Sequence, residues 1–450
     1  MLTGLGAGLF RLTHALRGSR SLVLYRETAH EPLYSRDEVL ARQLERLKEI
    51  VAHAEAHVPF YRRRFREAGL SARNLKNFDD YRAFPIVTKD DVRDHLAELI
   101  DERVAQSALV AHRTGGSTGR PITFYRDRDY IDAADAAVYR CYAQCGWKPG
   151  GMIAFFWGWN ERLNRMSSME FGLRQLVRRQ YQFNPFASGP TDLRRWARTY
   201  ARIRPSVAMG YASTIALFAS EVEAAGLRLP AVRGVFTTAE KLYPPQRKLV
   251  ERVLGGPVYD LYGSSEIHNI AAECVDGQMH LQCDYVYTET LSGAVDTKEP
   301  DPFLFSSLKA RAMPFLRYRN EDAGRLVSGA CSCGSGFPLM HLDVSRIFDN
   351  FVLPNGRTVH GQFFVIQFYG IRGVRAFQFY QPRVGELILR IVGERTVLES
   401  EEFRQGLSRI RALDDGVEVR VELVDEIPLS GAGKYQYIKS DVSPLTRDAV

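Results

Sequence analysis

The 450-residue sequence has few cysteines and no long apolar run, and both shortages exclude classes of protein. Its six cysteines are too few for a disulfide scaffold and indicate a reducing compartment, so we expect a cytoplasmic protein. No apolar run reaches the length of a membrane span, and Arg11 and His14 interrupt the short apolar stretch near the start. We therefore predict no transmembrane segment. Residues 1–21 are predicted to form an amphipathic helix on the protein, with contact to a membrane surface as the less favoured alternative.

The sequence also lacks a large excess of positive or negative charge. The 60 basic and 53 acidic residues leave a net charge of +7, which is small for this length. The densest basic group, Arg62 to Arg64 with Arg66, falls on a helical pattern and fits a solvated helix face better than a nucleic-acid patch. We therefore expect a small-molecule substrate and no nucleic acid among the partners. A homodimer is an arrangement that the sequence leaves open.

The first part of the chain is predicted to be helical. Apolar residues follow a helical period over residues 35–69, and Thr88 is placed as the N-cap of a further helix. We therefore predict that residues 1–103 are mainly helical.

The rest of the chain predicts an α/β fold in two domains, because 450 residues exceed one ordinary core. Beyond about residue 104, short apolar runs alternate with helical patterns, which indicates a largely parallel sheet. After residue 345 the pattern becomes strand-rich. We predict a large domain of residues 1–345 and a small α+β domain of residues 346–450.

A loop rich in glycine and hydroxyl groups follows His112 and ends at an Arg-Pro pair. Its glycines remove Cβ atoms that would keep a ligand from the backbone, so its N–H groups, hydroxyls and arginine could surround an anion. It lacks the Gly-Lys-Ser/Thr of a Walker loop, and Pro121 with the run after it indicates that the loop joins two strands. The residues alone leave an anion-binding loop and a plain hairpin turn open. The anion-binding candidates are Thr114, Gly115, Gly116, Ser117, Thr118, Gly119 and Arg120.

Four residues with metal-ligand chemistry follow at short spacings. Cys274 and His280 are separated by five residues, and Cys331 and Cys333 by one, which together supply the four ligands of a closed tetrahedral zinc site. Cys283 is a competing ligand, and buried reduced cysteines are the alternative interpretation. Cys141 and Cys145, four residues apart on a predicted helix, are assigned to the core.

Five segments that carry a common pattern follow one another along the chain: residues 114–121, 236–247, 259–266, 314–326 and 428–438. Their sequences and order resemble the motifs of the adenylate-forming superfamily and its phenylacetate–CoA ligase-like branch, which includes capsule-biosynthesis and coenzyme F390 synthetase-like relatives. The resemblance implies a large N-terminal domain with sheets and packed helices, and a small mobile C-terminal domain that carries the catalytic lysine.

The resemblance also implies a role for each motif. The loop at 114–120 would hold the β- and γ-phosphates of ATP, and Glu266 would hold Mg²⁺. Asp322 would accept hydrogen bonds from the ribose hydroxyls, and Lys434 would bridge the attacking carboxylate and the α-phosphate. The other implied positions are Ala239, Glu240, Tyr262 and Gly263 near the adenine, Arg346 at the hinge, and Trp157, Trp159 and Tyr211 in the acid pocket.

The implied activity is ATP-dependent conversion of an aryl or acyl carboxylic acid to its adenylate, followed by transfer to CoA. Three departures weaken the second step. Asn320-Glu321 replace the usual Thr-Gly before the ribose aspartate, Ser345 replaces the glycine of the usual Gly-Arg-x-x-Asp at the hinge, and residues 351–361 replace a lysine-glycine loop. Transfer to an amine, a hydroxyl or a carrier protein, in polysaccharide or secondary-metabolite biosynthesis, is one alternative. A catalytically silent nucleotide-binding zinc protein is another.

Overall fold

The structure is a computed structural model of the chain. It describes the following residues: 2–113, 122–157, 172, 175, 177–183, 190–344, 350–356, 358–368, 371–428 and 435–442. The chain forms two compact units, Met1–Asp343 and Val344–Val450. The boundary predicted between residues 345 and 346 falls within 345–349, outside the described residues, and stays a prediction.

The first unit begins with six helices. They are α1 (Leu2–Leu16), α2 (Ser21–Thr28), α3 (Arg36–His57), α4 (Pro59–Glu67), α5 (Phe78–Tyr81) and α6 (Lys89–Asp94). Ser35 starts α3 and Thr88 starts α6, each with a capping box in which its side chain accepts from the third helical N–H. Apolar residues of α3 and α4 share a buried core with strands of the main sheet described below.

A two-stranded antiparallel hairpin follows, formed by β1 (Val110–Arg113) and β2 (Thr123–Arg126). His112 pairs with Phe124, and Arg113 pairs with Thr123. The prediction that the glycine-rich loop joins two strands is confirmed. The loop itself, residues 114–121, lies outside the described residues.

The described part of the first unit contains an eleven-stranded sheet in the order β10-β11-β12-β13-β9-β8-β7-β6-β5-β3-β4. Its strands are β3 (Ile153–Phe156), β4 (Gln180–Phe183), β5 (Val207–Tyr211), β6 (Gly234–Thr238), β7 (Val258–Tyr262), β8 (Ala271–Glu273), β9 (Met279–Leu281), β10 (Val286–Thr290), β11 (Asp301–Ser307), β12 (Tyr318–Val327) and β13 (Leu339–Val344). Helices of this unit are α7 (Arg128–Ala143), α8 (Pro190–Ile203), α9 (Ala212–Ala224) and α10 (Pro244–Leu254). Strands β3 to β7 pair in parallel, as the alternating pattern predicts.

The other side of this sheet is antiparallel where β7 meets β8, β8 meets β9, and β10 and β11 meet their neighbours. Parallel strands β5, β6 and β7 point their carboxyl ends to the same edge, where ligands bind in open α/β sheets. That edge receives Tyr211, Ala239 and Tyr262 at or just after the strand ends.

The second unit is α+β, as predicted. Its elements are β14 (Asn350–Val352), β15 (Thr358–His360), α11 (Gly361–Phe368), β16 (Val374–Arg383), β17 (Glu386–Gly393), α12 (Glu401–Arg411), β18 (Glu418–Leu423) and β19 (Ile438–Ser440). Four strands form a sheet in the order β18-β17-β16-β19. Phe364, Phe368, Phe379 and Phe403 are buried with their rings in contact, which packs both helices on one face of this sheet.

Candidate active site

Strand β7 ends in Tyr262, and the turn after it is too tight for a side chain. A Cβ atom added to Gly263 would lie 2.7 Å from the backbone nitrogen of Asn269. Glycine at this position therefore lets the backbone fold directly from the strand into the turn that carries Glu266.

Tyr262 is part of a buried polar network with strand β12. Its hydroxyl donates to Asp322 Oδ2 at 2.6 Å, and the same oxygen accepts from Asn320 Nδ2 at 2.6 Å. The backbone N–H of Asp322 donates to Asn320 Oδ1 at 3.0 Å. Burial and the adjacent Asp322 raise the pKa of Tyr262 well above its usual value, so it remains a hydrogen-bond donor. The Asp322 carboxylate is therefore held in one orientation at the sheet edge.

Glu266 lies beside this network and is held by two tyrosines. The hydroxyl of Tyr318 donates to Glu266 Oε1 at 2.7 Å, and the hydroxyl of Tyr130 donates to the Glu266 carbonyl at 3.3 Å. Burial and Glu266 raise the pKa of Tyr318 well above its usual value, so the phenol stays protonated. Glu266 is 6% exposed, and its carboxylate is fixed where a cation could approach it.

A bulge in β12 sets the orientation of the Asn320 and Asp322 side chains. Between the pairs Arg319–Leu304 and Ala323–Pro302, three residues of β12 stand opposite one residue of β11. The middle residue, Glu321, has φ +74°, a left-handed conformation that favours glycine. Glycine is what the family resemblance places there.

Two contacts anchor the segment that contains the bulge. Lys89 Nζ, in the first turn of α6, donates to Glu321 Oε2 at 2.5 Å. Arg317, with φ +46°, is buried in an ion pair with Glu289 at 2.7 Å and donates to the Phe84 carbonyl at 2.6 Å. Phe84 and Lys89 therefore hold the two ends of the segment from Arg317 to Glu321.

The hairpin of β1 and β2 contributes a second polar group, His112 and Arg126. His112 stacks on Phe124 with 5.7 Å between ring centroids, and Arg126 lies over the same Phe124 ring at 5.1 Å. Burial, with a contribution from Arg126, lowers the pKa of His112 to about 4, so the imidazole is neutral at physiological pH. Arg126 also donates to the Ser265 carbonyl, which ties the hairpin to the turn of Glu266.

An aromatic pair lies where the resemblance places the acid pocket. Trp157 stacks on Tyr211 with ring centroids 4.2 Å apart, and Phe155 stacks on Trp157 at 5.5 Å. Next to the end of β6, Ala239 has φ +66°, and Glu240 Oε2 accepts from the Ser213 N–H at 2.9 Å. Aromatic faces beside the sheet edge can receive a flat or apolar acid.

The structure therefore brings together the predicted residues Tyr262, Gly263, Glu266 and Asp322. Sequence reasoning did not select Tyr318, Asn320, Arg126 or His112. Alternation along β2 and β12, which places Arg126, Tyr318 and Asn320 on the buried face, was the available signal. Outside the described residues lie Thr114, Gly115, Gly116, Ser117, Thr118, Gly119, Arg120, Trp159, Arg346 and Lys434.

A separate cluster unites the four predicted metal ligands. The ligand atoms of Cys274, His280, Cys331 and Cys333 all lie within 4.8 Å of one another. Cys274 Sγ is 3.7 Å from Cys331 Sγ, and Cys333 Sγ is 3.4 Å from His280 Nε2. Sulfur atoms bound tetrahedrally to Zn²⁺ at ~2.3 Å are about 3.8 Å apart, so this donor set fits the ion.

The surroundings of the cluster agree with that fit. His280 Nδ1 donates to the Phe337 carbonyl at 2.8 Å, which leaves Nε2 for a metal. Burial lowers the pKa of His280 and so favours the neutral ring that binds metals. Cys283 does not belong to the cluster, and burial raises the pKa of its thiol above the usual range. Cys141 is buried in the core as expected, whereas Cys145 lies just beyond α7 and is half-buried.

Comparison with known proteins shows the family of the chain. It is 30% identical to the phenylacetate-coenzyme A ligase of Escherichia coli over 308 residues, covering 65% of this chain and 68% of that protein. The chain belongs to the phenylacetate–CoA ligase family of adenylate-forming ligases. Within this family it is also 26% identical to the Pseudomonas putida phenylacetate-coenzyme A ligase over 420 residues, which are 90% of this chain and 87% of that protein.

Two further comparisons concern the second unit and the whole fold. Residues 351–441 match the model of the CapK C-terminal domain, and protein CapK of Staphylococcus aureus is 21% identical over 63% of this chain and 62% of its own. The fold matches 2-hydroxyisobutyryl-CoA ligase in the postadenylation state with 2-HIB-AMP, with a TM-score of 0.73 and 21% identity over 92% of this chain and 91% of that one. No described helix is long and apolar enough to cross a membrane.

Proposed function

We propose that this chain activates a carboxylic acid with ATP, releases pyrophosphate to form an acyl-adenylate, and transfers the acyl group to CoA. The observation that carries the proposal is the buried network of Tyr262, Asn320 and Asp322 next to Glu266. Its position at the carboxyl edge of the parallel strands is that of the family's nucleotide motifs. The names of the E. coli and P. putida relatives, both phenylacetate-coenzyme A ligases, support a thioester product.

The roles of the residues follow from the charges of the reaction. A carboxylate must approach the α-phosphate of ATP, and pyrophosphate leaves with additional negative charge, so the protein mainly positions and neutralises anions. Asp322 is oriented to accept from the ribose, because Tyr262 and Asn320 fix its other bonds. Glu266 would hold Mg²⁺, which supplies positive charge to the phosphates.

The catalytic role of Lys434 rests on the family motif. Its compact ammonium on a long side chain suits a group that neutralises both the carboxylate and the α-phosphate. Residues 114–120 would receive the departing phosphates. Trp157 and Tyr211 would line the pocket for an aryl or apolar acid.

The cysteine and histidine cluster is proposed to hold a structural Zn²⁺. Four protein ligands fill a tetrahedral site and leave no position for a substrate. The ligands come from the β8–β9 hairpin and from the segment between β12 and β13, so the ion would fasten these two parts of the sheet.

One observation favours a second candidate, transfer to an amine, a hydroxyl or a carrier protein. The C-terminal unit matches the CapK C-terminal domain, and residues 351–361 replace the loop that helps CoA ligases form the thioester. The adenylation step is the same in both candidates. Retention of Glu266, Asp322 and Lys434 together argues against a silent nucleotide-binding protein.

The proposal is tested by pyrophosphate release across a panel of aryl and fatty acids, with and without CoA. We expect release with a narrow set of acids and thioester formation only with CoA. Lys434→Ala should bind ATP but lose adenylation on the order of a hundredfold or more, whereas Lys439→Ala, at the next lysine along the chain, should retain it.

Pyrophosphate release with no thioester, together with product formation from an added amine, would favour the second candidate. Adenylate formation by Lys434→Ala at the normal rate would remove the role assigned to that lysine.

A further inference from the structure

Helix α1 carries a row of leucines, two of which are exposed near the end of the helix. The row has the three- and four-residue spacing of one helix face. Its members are Leu2, Leu5, Leu9, Leu12 and Leu16. Of these, Leu12 is 55% exposed and Leu16 is 78% exposed. Two exposed leucines four residues apart form a continuous apolar ridge, unlike single apolar residues scattered on a surface.

A different face of α1 holds the helix in place. Phe10 is 2% exposed and contacts the rings of His14 at 4.1 Å and Tyr139 at 6.1 Å. Thr13 Oγ1 donates to the Val177 carbonyl at 3.3 Å. The position of α1 is therefore fixed without its exposed leucines.

The arginines and acidic residues near the ridge in sequence are unequal in number. Residues 1–26 contain four arginines and no aspartate or glutamate. The four arginines, all exposed, are Arg11, Arg17, Arg20 and Arg26. The acidic neighbour Asp132 is 4% exposed and accepts from Ser19 Oγ at 2.6 Å and the Arg20 N–H at 2.8 Å. Asp132 is therefore engaged by Ser19 and the Arg20 backbone, and the first exposed acid along the chain is Glu27.

We propose that α1 binds the surface of an anionic lipid bilayer. Leu12 and Leu16 would enter the boundary between headgroups and acyl chains, and the arginines would contact lipid phosphates. Pairing of residues 1–27 with a second copy would bring eight arginines together against two exposed glutamates, so an anionic surface fits this segment better. The binding would hold the first unit against a membrane and is independent of the activity proposed above.

The test is sedimentation of the full chain with vesicles. We expect binding to vesicles that contain about a quarter phosphatidylglycerol in phosphatidylcholine, and no binding to phosphatidylcholine alone. Leu12→Glu with Leu16→Glu should weaken binding at least tenfold, because two inserted leucines are replaced by acids. Arg11→Gln, Arg17→Gln and Arg20→Gln together should weaken it on the order of a hundredfold.

A matched control replaces exposed leucines elsewhere. Leu227 is 44% exposed and Leu291 is 41% exposed, and changing both to Glu should leave binding unaltered. Absence of wild-type binding, or equal loss in the control and α1 variants, would overturn the proposal. So would a dimer in solution that Leu12→Glu with Leu16→Glu dissociates, in the absence of vesicle binding, because the face would then serve a second copy.

Discussion

The backbone at Glu321 shows how single residues set the candidate site. A non-glycine residue with φ +74° is strained by about 1 kcal/mol and persists only where its surroundings hold it. Here the surroundings are the Lys89 ion pair and the bulge that points Asn320 and Asp322 inward. The family resemblance places glycine at this position. In this chain the left-handed conformation is held by the ion pair of the Glu321 side chain with Lys89, and not by the conformational freedom of glycine.

We therefore predict that Glu321→Gly is more stable than Glu321→Ala by about 1 kcal/mol, because glycine adopts the left-handed conformation without strain and alanine does not. Urea unfolding of the two variants measures the difference. Glu321→Ala should also bind AMP more weakly than Glu321→Gly, because both variants lose the Lys89 contact and only glycine keeps the left-handed conformation of the bulge without strain.

Arg319 provides the control, since it is exposed on the same strand and does not have a positive φ. There the order should reverse, with alanine more stable than glycine. Equal stability of the two Glu321 variants would show that the left-handed conformation is not retained in solution.

At the residue scale, the sequence predicted the motif side chains but not what orients them. Tyr262, Glu266 and Asp322 could be chosen because their spacing resembles a family pattern. The partner of Glu266, Tyr318, is 52 residues away along the chain, and the bond from Asn320 to Asp322 depends on a bulge. Alternation along β12 indicates that Tyr318 and Asn320 face inward but does not identify their partners. The first contact forms only when β7 and β12 enter one sheet, and the second depends on the bulge between β11 and β12.

At the scale of elements, the metal cluster connects a hairpin to a loop. His280 lies in β9, between its register partners Ala272 of β8 and Leu339 of β13. The loop between β12 and β13 carries Cys331 and Cys333, and just beyond them the Gly336 N–H donates to the Pro32 carbonyl at 2.9 Å. This hydrogen bond attaches the loop to the segment before α3, so a disordered loop would also loosen that segment.

We predict that the purified chain contains about one equivalent of zinc and that a strong chelator lowers the melting temperature of the first unit by several degrees or more, because metal binding is coupled to folding. Elemental analysis and calorimetry measure these effects. Cys333→Ser should reproduce the loss, whereas Cys145→Ser should retain the metal. Full stability of the metal-free chain would contradict a structural ion.

Local signals predicted the elements better than their arrangement. The capping residue Thr88 and the strand after Pro121 each have a signature within a few residues of sequence. The antiparallel side of the main sheet was not predicted, because alternating strands and helices report only parallel units. Pairing of β10, β11 and β12 is determined by long-range packing against α3 and α4.

At the scale of the whole molecule, the chain consists of two units with separate cores. The second unit, Val344–Val450, buries the phenylalanine cluster between its own helices and sheet, and residues 351–441 match a family domain by themselves. A unit of this size with its own core can fold alone.

We predict that a fragment of residues 344–450 folds cooperatively, as measured by circular dichroism during urea unfolding. The full chain should then show two unfolding transitions, and only the transition of the first unit should respond to chelator. Phe379→Ala in the fragment should cost about 3–5 kcal/mol, because Phe379 is fully buried. An unfolded wild-type fragment would mean that the second unit needs the first.

The four-ligand cluster has a consequence for the chain as a polymer. Cys274 and Cys331 are 57 residues apart, so an ion shared by them closes a long loop much as a covalent bridge would. By the loop-closure argument for disulfides, a bridge of that span reduces the conformational entropy of the unfolded chain. The loss raises the free energy of the unfolded state by about 4 kcal/mol at room temperature. Thiolates on zinc would provide this cross-link without oxidation, in a compartment where a disulfide would be reduced.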